Sequence, residues 1–534
     1  MAKTRKLIWD FYALIILLSF SVLQVLRWRL LPQFMDDYYH LLTAWGFIQA
    51  GGYSGWDFWQ YAPVGRVHMY PPLYHLVLAF FLKLGVNKII LIKSLETLCP
   101  IVFLFFLWKF VRKNYNGRLA FFTLACAGAS FSFYLSLFNY IPATLALMFG
   151  LYAFDQLLEN RWLRPLLFIA LCFYTHIGVS WFFVLGLFLF GLFDTRYRKA
   201  SLWISAVSLV LSAPIIFKQA MGLQFISLKG IGEKYFIELK VIECLLALFA
   251  LRIIIGKNRE SKYRLFLALF IASFIFLPYP YRFISGQGYL PVIFLSAVGI
   301  DSLYERYKDK ALYFKYVYLF LVGYCLLFST TLLTEKDYER DGKINFKIYY
   351  ADTALINMAF PLRNERIAST SLWFPDEYAA LRKLIAQHSQ GNDIIYSELF
   401  IPGVALASIS GRATANALFP EIGPMRAFDP LAVSKLILLP KDRTQSDIKR
   451  IASAHTFIKV GEGNIFAVYK NSLCRAKVDI RKASISFRVL AYIFFIFAAL
   501  FWQAQKIEVF LTRNFSSLRV GGGKFGFKKR LVSS

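Results

Sequence analysis

The stretch from Phe34 to Leu73 reads FMDDYYHLLTAWGFIQAGGYSGWDFWQYAPVGRVHMYPPL and stands among long apolar segments. It combines three carboxylates with histidines, an arginine and many Trp and Tyr rings. Its Gly-Gly and Pro-Pro pairs are typical of turns rather than of a helix that crosses a membrane. A polar, aromatic segment directly after an apolar helix has to lie where water reaches it. We interpret it as the active-site loop of a membrane enzyme.

The composition places this loop in a membrane protein. Of the 534 residues, 58% are hydrophobic and only 17% are charged, whereas soluble domains have roughly 25% charged residues. Apolar runs long enough to cross a bilayer recur along the chain. We predict an all-α polytopic membrane protein with about 12 transmembrane helices and a small extracytoplasmic α/β domain. The predicted spans lie near residues 8–27, 89–108, 119–138, 141–158, 164–177, 178–193, 200–217, 237–255, 264–278, 287–301, 311–333 and 485–503.

The net charge of +29 is explained by its distribution along the chain. If the N-terminus is cytoplasmic, basic residues concentrate in the predicted inner loops, and the short outer loops hold few, among them Lys218 and Arg282. This is the asymmetry of the positive-inside rule. The apolar run from Pro72 to Leu84 is too short to span, so we predict an interfacial or re-entrant helix on the outer face. A basic tail after the last span suits anionic lipid heads, and no nucleic-acid partner is expected.

The predicted organisation has three parts. Residues 1–333 form a transmembrane catalytic module with an external loop at 28–88. Residues 334–484 form an extracytoplasmic α/β domain, because a helix over Asp376–His388 alternates with strand-like pieces at 393–396, 436–439, 456–460 and 465–469. Residues 485–534 form the last transmembrane helix and a basic cytoplasmic tail. We expect a multi-pass protein of the plasma membrane whose active site is extracytoplasmic.

Asp36 and Asp37 are the candidate catalytic residues. A carboxylate just beyond a membrane helix is often only a solvated loop residue. Here Tyr39, Trp45 and Trp59 are among the rings that would shield the acids from water and offer surfaces to a sugar. An acid in such surroundings is suited to act as a general base.

The order DDYYH, GG, WDFWQYAPVGR and YPPL resembles the first external loop of the GT-C superfamily of glycosyltransferases. Oligosaccharyltransferase catalytic subunits have an acid–aromatic cluster, a Pro-x-Gly-Arg turn and Tyr-Pro before an apolar helix. Protein O-mannosyltransferases and aminoarabinose transferases share the acid and Pro-Pro-Leu. The resemblance covers this loop, the multi-span layout with its C-terminal external domain and a later Tyr-Arg-Phe element. It implies inverting transfer of a sugar from a polyprenyl-phosphate carrier on the outer face, with Asp36 matching the catalytic base and Asp37 as second choice.

Arg282 and His176 are candidate substrate-binding residues in other outer segments. Arg282, in PYPYRFISGQGYLP, is either an interfacial anchor or a phosphate ligand, since a guanidinium makes bidentate hydrogen bonds to phosphate. Similar Arg-Phe elements in GT-C proteins face the carrier phosphate, and the resemblance gives Arg282 that role. His176, in FYTHIGVSW, is either a structural histidine or a donor to a phosphate or sugar hydroxyl.

Further candidates lie inside the loop itself. Asp57, Arg66, His68 and Tyr70 are predicted to contact the substrate because they share the stretch that holds the acids. For Arg66 and His68 two roles stay open, since they either bind phosphate or only order the loop.

A metal site is an open alternative. Asp36, Asp37 and Asp57 could hold a divalent cation such as Mg²⁺ or Mn²⁺ through oxygen ligands. The oligosaccharyltransferase pattern, however, requires a second acidic cluster in the next external loop. Here that loop reads SLFNYIPAT around Asn139 and has no carboxylate. This departure from the pattern favours transfer of a single sugar over transfer of an oligosaccharide to protein, and it leaves a divalent cation as a possible cofactor and no cofactor as certain.

The leading hypothesis is a membrane-embedded glycosyltransferase with a polyprenyl-phosphate-linked donor, an acceptor that the sequence does not specify, and membrane lipid around it. An oligosaccharyltransferase-like enzyme with a metal site is the first alternative. The second is a non-enzymatic transporter of lipid or polysaccharide, which would spread polar residues along several spans. The polar residues gather on one predicted face instead, which favours the enzyme.

Overall fold

The computed structural model describes residues 2–29, 35–226, 234–256, 261–277, 280–283, 286–307, 313–337, 344–360, 375–419, 422–443, 451 and 456–514. These ranges do not include Phe34 and residues 30–33 of the predicted external loop. They also leave out the first two residues of the predicted span 311–333 and residues 515–534 of the predicted basic tail. The helices up to the middle of the chain are α1 (Ala2–Leu26), α2 (Met35–Ala50), α3 (Leu73–Lys83), α4 (Lys88–Asn114), α5 (Gly117–Ala129), α6 (Phe131–Asn139), α7 (Ile141–Leu158), α8 (Leu163–Thr175), α9 (Ile177–Phe193) and α10 (Arg198–Gly222).

The remaining helices are α11 (Val241–Ile255), α12 (Arg264–Ala272), α13 (Pro280–Phe283), α14 (Leu290–Tyr307), α15 (Tyr313–Leu327), α16 (Ala354–Ala359), α17 (Pro375–His388), α18 (Phe400–Ser410), α19 (Pro430–Val433) and α20 (Phe487–Asn514). The strands are β1 (Gly52–Tyr53), β2 (Trp56–Asp57), β3 (Arg66–Val67), β4 (Lys234–Lys240), β5 (Phe328–Asp337), β6 (Ile344–Asp352), β7 (Ile394–Ser397), β8 (Ala413–Thr414), β9 (Leu436–Pro440), β10 (Phe457–Glu462), β11 (Phe466–Asn471) and β12 (Ile485–Ser486).

Within the described ranges, five helices are long and apolar enough to cross a membrane, namely α1, α4, α7, α10 and α20. The pair α5 and α6 would add a sixth span, although the two helices are bent by 86° at their junction. Apolar side chains on these helices point outwards, for example Val210, Phe217 and Trp502. Because a soluble protein would bury such surfaces, the protein is an integral membrane protein. The number of spans stays a prediction.

Several predicted spans differ from the helices that form. The predicted span 119–138 breaks at Ser130, whose hydroxyl accepts a hydrogen bond from the backbone N–H of Phe133 at 3.1 Å and so starts a new helix. The predicted spans 237–255 and 311–333 are helical only over α11 and α15, because residues 237–240 lie in β4 and residues 328–333 in β5. Strands β4, β5 and β6 form an antiparallel sheet.

The two ends of the helix bundle differ in charge. At one end, ion pairs connect helix termini, such as Arg112 with Asp10 at 2.7 Å and Arg118 with Asp301 at 2.6 Å. The opposite end contains the last residues of α1, the junctions between α6 and α7 and between α8 and α9, and the segment before α14. The polar residues there are buried rather than paired along a surface. The loop that carries the acids lies at this second end.

A five-stranded sheet forms near the C-terminal end of the chain, in the order β10-β11-β9-β7-β8. Strands β7, β8 and β9 are parallel, and β9, β10 and β11 are antiparallel. The predicted helix over 376–388 and the four predicted strands are present as α17, β7, β9, β10 and β11. Helices α17 and α18 pack against the sheet, and α18 also packs against α2.

The loop and this sheet share one hydrophobic core. Tyr38, Leu42 and Trp59 of the loop are buried in the same cluster as Tyr378 and Leu406. Backbone hydrogen bonds join the two parts as well, because Thr414 donates to the carbonyl of Trp59 at 3.0 Å. The short strand β1 pairs with β12, directly before the last helix. The sheet region therefore fixes the loop from the side opposite the bundle.

The last helix is anchored by a side-chain cap. Glu508 of α20 accepts hydrogen bonds from the backbone N–H groups of Trp162 and Leu163 at 2.8 and 2.5 Å. These two residues stand at the start of α8, and the side chain of the N-cap residue Trp162 makes no capping hydrogen bond of its own. We expect Glu508→Ala to lower the free energy of unfolding by about 0.5–2 kcal/mol, the range for losing an N-cap. Thermal unfolding in detergent measures this, with Glu508→Gln, which keeps an acceptor oxygen, as the control. An unchanged midpoint in the alanine variant would contradict the anchoring role.

Candidate active site

The two candidate acids lie in the first turn of α2, where the helix dipole favours negative charge. Both are buried, with exposed fractions of 5% for Asp36 and 1% for Asp37. Neither carboxylate oxygen of Asp37 has a hydrogen-bond partner among the residues that the structure describes. Burial raises the pKa of Asp37 well above its ordinary value, and the charges of Glu96 and Asp36 raise it further. These surroundings therefore favour the neutral form of Asp37.

Glu96 was not predicted as part of this site. It lies on α4, and its Oε1 is 3.5 Å from Nη2 of Arg27, which follows α1. Gln24 donates to the backbone carbonyl of Glu96 at 2.9 Å, so three polar residues of two helices meet beside Asp37. The signal in the sequence was a carboxylate inside an apolar span, where an ionisable residue needs a partner.

Asp36 faces a different group from Asp37, because successive residues of a helix point about 100° apart. The phenol of Tyr70 lies near both Asp36 and Arg282. Burial raises the pKa of this phenol well above its ordinary value, the charge of Asp36 raises it further, and the charge of Arg282 lowers it. The charges of Asp36 and Arg282 thus act on one side chain, whereas the charge of Glu96 acts on Asp37.

Arg282 and His176 form a pair. Nη1 of Arg282 is 3.5 Å from Nε2 of His176, and the guanidinium lies over the ring of Tyr140 at 5.6 Å. The other ring nitrogen of His176 accepts a hydrogen bond from the backbone N–H of Val179 at 3.2 Å and caps α9. This cap fixes the histidine ring, so that Nε2 is the nitrogen directed to the arginine.

Tyr70 connects this pair to a second pair of histidines. Its ring centroid lies 6.4 Å from that of His176, 4.9 Å from that of His40 and 5.3 Å from that of His75. Nδ1 of His40 and Nε2 of His75 are hydrogen-bonded at 2.8 Å. Neither His40 nor His75 was predicted as a site residue, although both stand next to a tyrosine, in YYH and LYH, within or directly after the quoted stretch.

Asp57 and Arg66 form a buried ion pair that ties the loop to the sheet region. They are opposite each other in the β2–β3 hairpin, and the Nε–Oδ2 distance is 3.1 Å. Gly65, with a φ of +72°, makes the turn that brings Arg66 into this position. Arg66 also donates to Oε1 of Gln60 at 3.2 Å. The remaining guanidinium hydrogens are donated, at 2.7–2.9 Å, to the backbone carbonyls of Leu418, Phe419 and Ile422.

These contacts occupy all five N–H groups of Arg66. Of the two roles left open by the sequence, ordering the loop is the one that the contacts favour for Arg66. The pKa of Asp57 is raised to about 6 by burial, against the lowering effect of Arg66. The pair therefore holds the loop in place rather than facing the group formed by Asp36, Tyr70 and Arg282.

His68 lies deeper in the loop than Tyr70, with an exposed fraction of 1%. Its ring contacts those of Phe47, Trp59 and His75, with centroid distances of 5.5, 5.7 and 5.6 Å. Its pKa is lowered well below the ordinary value by burial, and the charge of Lys218 lowers it further. His68 is a neutral imidazole, which makes it a poor ligand for the charge of a phosphate.

The three predicted metal ligands do not converge. Asp57 is held by Arg66 and Gln60, and Asp37 faces Glu96 rather than Asp57. Across the described ranges, no group of three His, Cys, Asp or Glu side chains is placed to share a metal ion. The residues present therefore do not fit a cation bound by Asp36, Asp37 and Asp57.

Comparisons with solved structures give the chain its place among membrane proteins. The oligosaccharyltransferase AglB of Archaeoglobus fulgidus, in complex with an inhibitory peptide and a dolichol-phosphate, superposes with a TM-score of 0.56 at 12% identity, over 87% of this chain and 74% of AglB. A complex of the same organism's oligosaccharyltransferase with Zn and sulfate gives 0.54 at 12% identity, over 85% and 73%. ArnT of Cupriavidus metallidurans in the apo state gives 0.53 at 13% identity, over 88% and 98%.

No protein-family model matches the sequence, and no curated protein matches it. The likeness is therefore one of fold. The chain has the fold of AglB and ArnT, and the GT-C-like fold expected from its first loop is confirmed.

Proposed function

We propose that the protein is a glycosyltransferase that moves a sugar from a polyprenyl-phosphate-linked donor to an acceptor on the outer face of the membrane. One observation carries this proposal. At one end of an apolar helix bundle, a buried acid at the start of α2 and a pair formed by Arg282 and His176 flank the same tyrosine, Tyr70. A base and an anion-binding pair across a short gap are what transfer from a sugar phosphate requires.

Asp36 takes the role of the base. It accepts the proton of the acceptor hydroxyl while the oxygen forms a bond to the anomeric carbon and the bond from that carbon to the phosphate oxygen breaks. The carrier leaves as polyprenyl phosphate, and the configuration at the anomeric carbon is inverted. The surroundings of the two acids support Asp36 over Asp37, because burial and the charge of Glu96 favour the neutral form of Asp37 and a neutral acid is a poor proton acceptor.

Arg282 holds the phosphate that leaves, and His176 orients it. A guanidinium remains charged and offers parallel N–H donors to phosphate oxygens. The ring of Tyr140 under Arg282 and the contact with His176 limit where this guanidinium can lie. The negative charge that develops on the phosphate oxygen is then met by a cation already in position, so little reorganisation is needed during the reaction.

The outer location rests on the charge pattern of the bundle. Basic residues such as Arg112 and Arg118 gather at the end that lies opposite the site, and the positive-inside rule assigns that end to the cytoplasm. A donor with a polyprenyl tail reaches a site between helices directly from the bilayer, and membrane lipid is the surrounding partner.

The proposal is tested by incubating the purified protein in nanodiscs with polyprenyl-phosphate-linked mannose, glucose and arabinose and a panel of acceptors. We expect release of polyprenyl phosphate from at least one donor, with the sugar recovered on an acceptor or on water and identified by mass. Intact donors in every reaction, with well-folded protein, would overturn the proposal.

Arg282→Gln provides the matching prediction. We expect kcat/KM to fall by about 10²–10³-fold, because one preorganised cation is removed from the developing charge. The kcat/KM of Arg282→Lys should lie between those of Arg282→Gln and the wild type, since a lysine keeps the charge but not the two parallel N–H donors of a guanidinium. Arg306→Gln is the control, as Arg306 also lies over a tyrosine ring, at 5.7 Å, but at the other end of the bundle. Equal activity of Arg282→Gln and Arg306→Gln would show that Arg282 does not bind the leaving phosphate.

A further inference from the structure

Three histidines form a buried cluster beside Tyr70. This histidine cluster consists of His40, His68 and His75, with exposed fractions of 1%, 1% and 0%. Adjacent rings lie 4.9 Å apart for His40 and His75 and 5.6 Å apart for His68 and His75. The residues come from α2, from the segment after β3, and from α3, so three parts of the loop meet at this point.

The cluster has hydrogen-bonding groups that the protein does not use. Nε2 of His40 and both ring nitrogens of His68 are buried and make no hydrogen bond to the residues that the structure describes. Leaving a buried polar group unsatisfied costs about 1–3 kcal/mol. A buried histidine with a purely structural role is ordinarily hydrogen-bonded to a neighbouring protein group. Three unsatisfied nitrogens in one place therefore indicate a polar ligand.

The chemistry of the cluster suits neutral hydroxyl groups. A neutral imidazole has one donor and one acceptor, and a hydroxyl group can match both. Burial lowers the pKa of His40 and of His68 well below the ordinary value, so these rings carry no charge. The half-buried ammonium of Lys218, which donates to the hydroxyl of Tyr53, lies towards His68. The protonated form of Lys218 would repel a ligand that carries an ammonium group at this position.

Aromatic rings pack around the cluster. Tyr39 meets His40 edge-on at 5.2 Å, Phe47 meets His75 at 5.8 Å, and Tyr74 meets His40 at 5.1 Å. Such rings cover the C–H faces of a flat polar ligand, while the few polar groups fix its orientation. Hydroxyl groups on a ring with C–H faces are the chemistry of a sugar.

The cluster is also placed where a sugar would have to lie. His40 follows Asp36 by one helical turn, so both side chains lie on one face of α2. On the other side lies Tyr70, whose ring centroid is 4.9 Å from that of His40 and 6.4 Å from that of His176. A group attached to a phosphate at Arg282 and facing Asp36 would thus contact the histidines.

From this arrangement we infer that the histidine cluster binds the sugar of the donor, and that it selects a neutral sugar with free hydroxyl groups over an amino sugar. The inference rests on the proposed function, because it takes the donor to be a sugar on a polyprenyl phosphate. His40 and His68 bind hydroxyl groups through their unsatisfied nitrogens. His75 is a positioning residue, which holds the ring of His40 through the hydrogen bond of 2.8 Å.

Binding measurements separate the sugar from the phosphate. The probes are polyprenyl-phosphate-linked mannose, polyprenyl-phosphate-linked glucosamine and polyprenyl phosphate without a sugar, each titrated into protein in nanodiscs. For the wild type we expect the mannose lipid to bind more tightly than the other two. His40→Phe and His68→Phe should weaken binding of the mannose lipid about tenfold each, the effect of one lost hydrogen bond, and leave binding of the lipid without a sugar unchanged.

Controls keep the outcomes distinct. His68→Gln keeps a donor and an acceptor and should restore most of the affinity for the mannose lipid, whereas His388→Phe, at the end of α17, should change nothing. Arg282→Gln should weaken all three lipids. The inference is wrong if the Phe variants bind the mannose lipid as the wild type does, if they lose all three lipids together, or if the glucosamine lipid binds best. Failure of the wild type to bind any of the three lipids would instead contradict the proposed function.

Discussion

Asp36→Asn is expected to lower kcat by about 10²–10⁴-fold, the usual contribution of a positioned general base. The amide has nearly the same shape as the carboxylate but cannot accept the proton of the acceptor hydroxyl. The affinity for the donor should change little, because Arg282 and the phosphate are not affected. Initial rates of polyprenyl phosphate release, measured at saturating donor and acceptor, give this number.

Asp37→Asn is the matched comparison, because Asp37 is the next residue on the same helix. Since burial and the charge of Glu96 favour the neutral form of Asp37, an amide of the same size is a mild replacement, and we expect less than about a tenfold loss. Asp479→Asn, on an exposed segment, should have no effect. If Asp37→Asn removes activity and Asp36→Asn does not, Asp37 and not Asp36 is the general base. Wild-type activity after replacing both with Ala would exclude either as the base.

Arg66→Met is expected to destabilise the protein by about 3–5 kcal/mol, the cost of breaking a buried ion pair by removing one partner. The side chains of Arg66 and Asp57 are only 3% and 1% exposed, so water cannot replace the lost contacts. The variant leaves the Asp57 carboxylate without its cation and three backbone carbonyls without a donor. Thermal unfolding in detergent, followed by intrinsic tryptophan fluorescence, should show a lower midpoint.

The double variant Asp57→Leu with Arg66→Met tests the cause of that loss. Removing both charges avoids a buried unpaired carboxylate, so the double variant should be more stable than Arg66→Met alone. Arg426→Met, an exposed arginine beside the same hairpin, is the control and should unfold like the wild type. A double variant that is only as stable as Arg66→Met would show that the lost carbonyl contacts, and not the unpaired carboxylate, cause the destabilisation.

The helical layout could be predicted from the sequence where an apolar run coincided with one helix. The spans predicted near 8–27, 141–158 and 178–193 correspond to α1, α7 and α9 within a few residues. The breaks could not be predicted, because hydropathy reports how apolar a segment is and not its backbone conformation. A short apolar run fits a strand as well as a helix, which is why β4 and the start of β5 were assigned to spans.

Residues of the candidate site could be predicted where a short stretch of sequence is unusual in itself. Asp36 and Tyr70 belong to one unusual stretch, and Arg282 is a lone charge between apolar segments. The partners of Arg66 were not predictable, because a backbone carbonyl has no signature in the sequence. The pair formed by His40 and His75 was missed for a related reason. It depends on the packing of α3 against α2, and neither histidine lies at a spacing that indicates a contact.

The ion pair of the loop also has a consequence for how the protein is made. The carbonyls that bind Arg66 lie 352 to 356 residues further along the chain. At translation rates of about 5–20 residues per second, they are synthesised roughly 20–70 s after the arginine. Most of the bundle is inserted during that interval, while the loop is still without its partners. A chain that ends before residue 418 would therefore have an inserted bundle but an unassembled site. Its aromatic loop would stay exposed to the quality-control machinery of the cell.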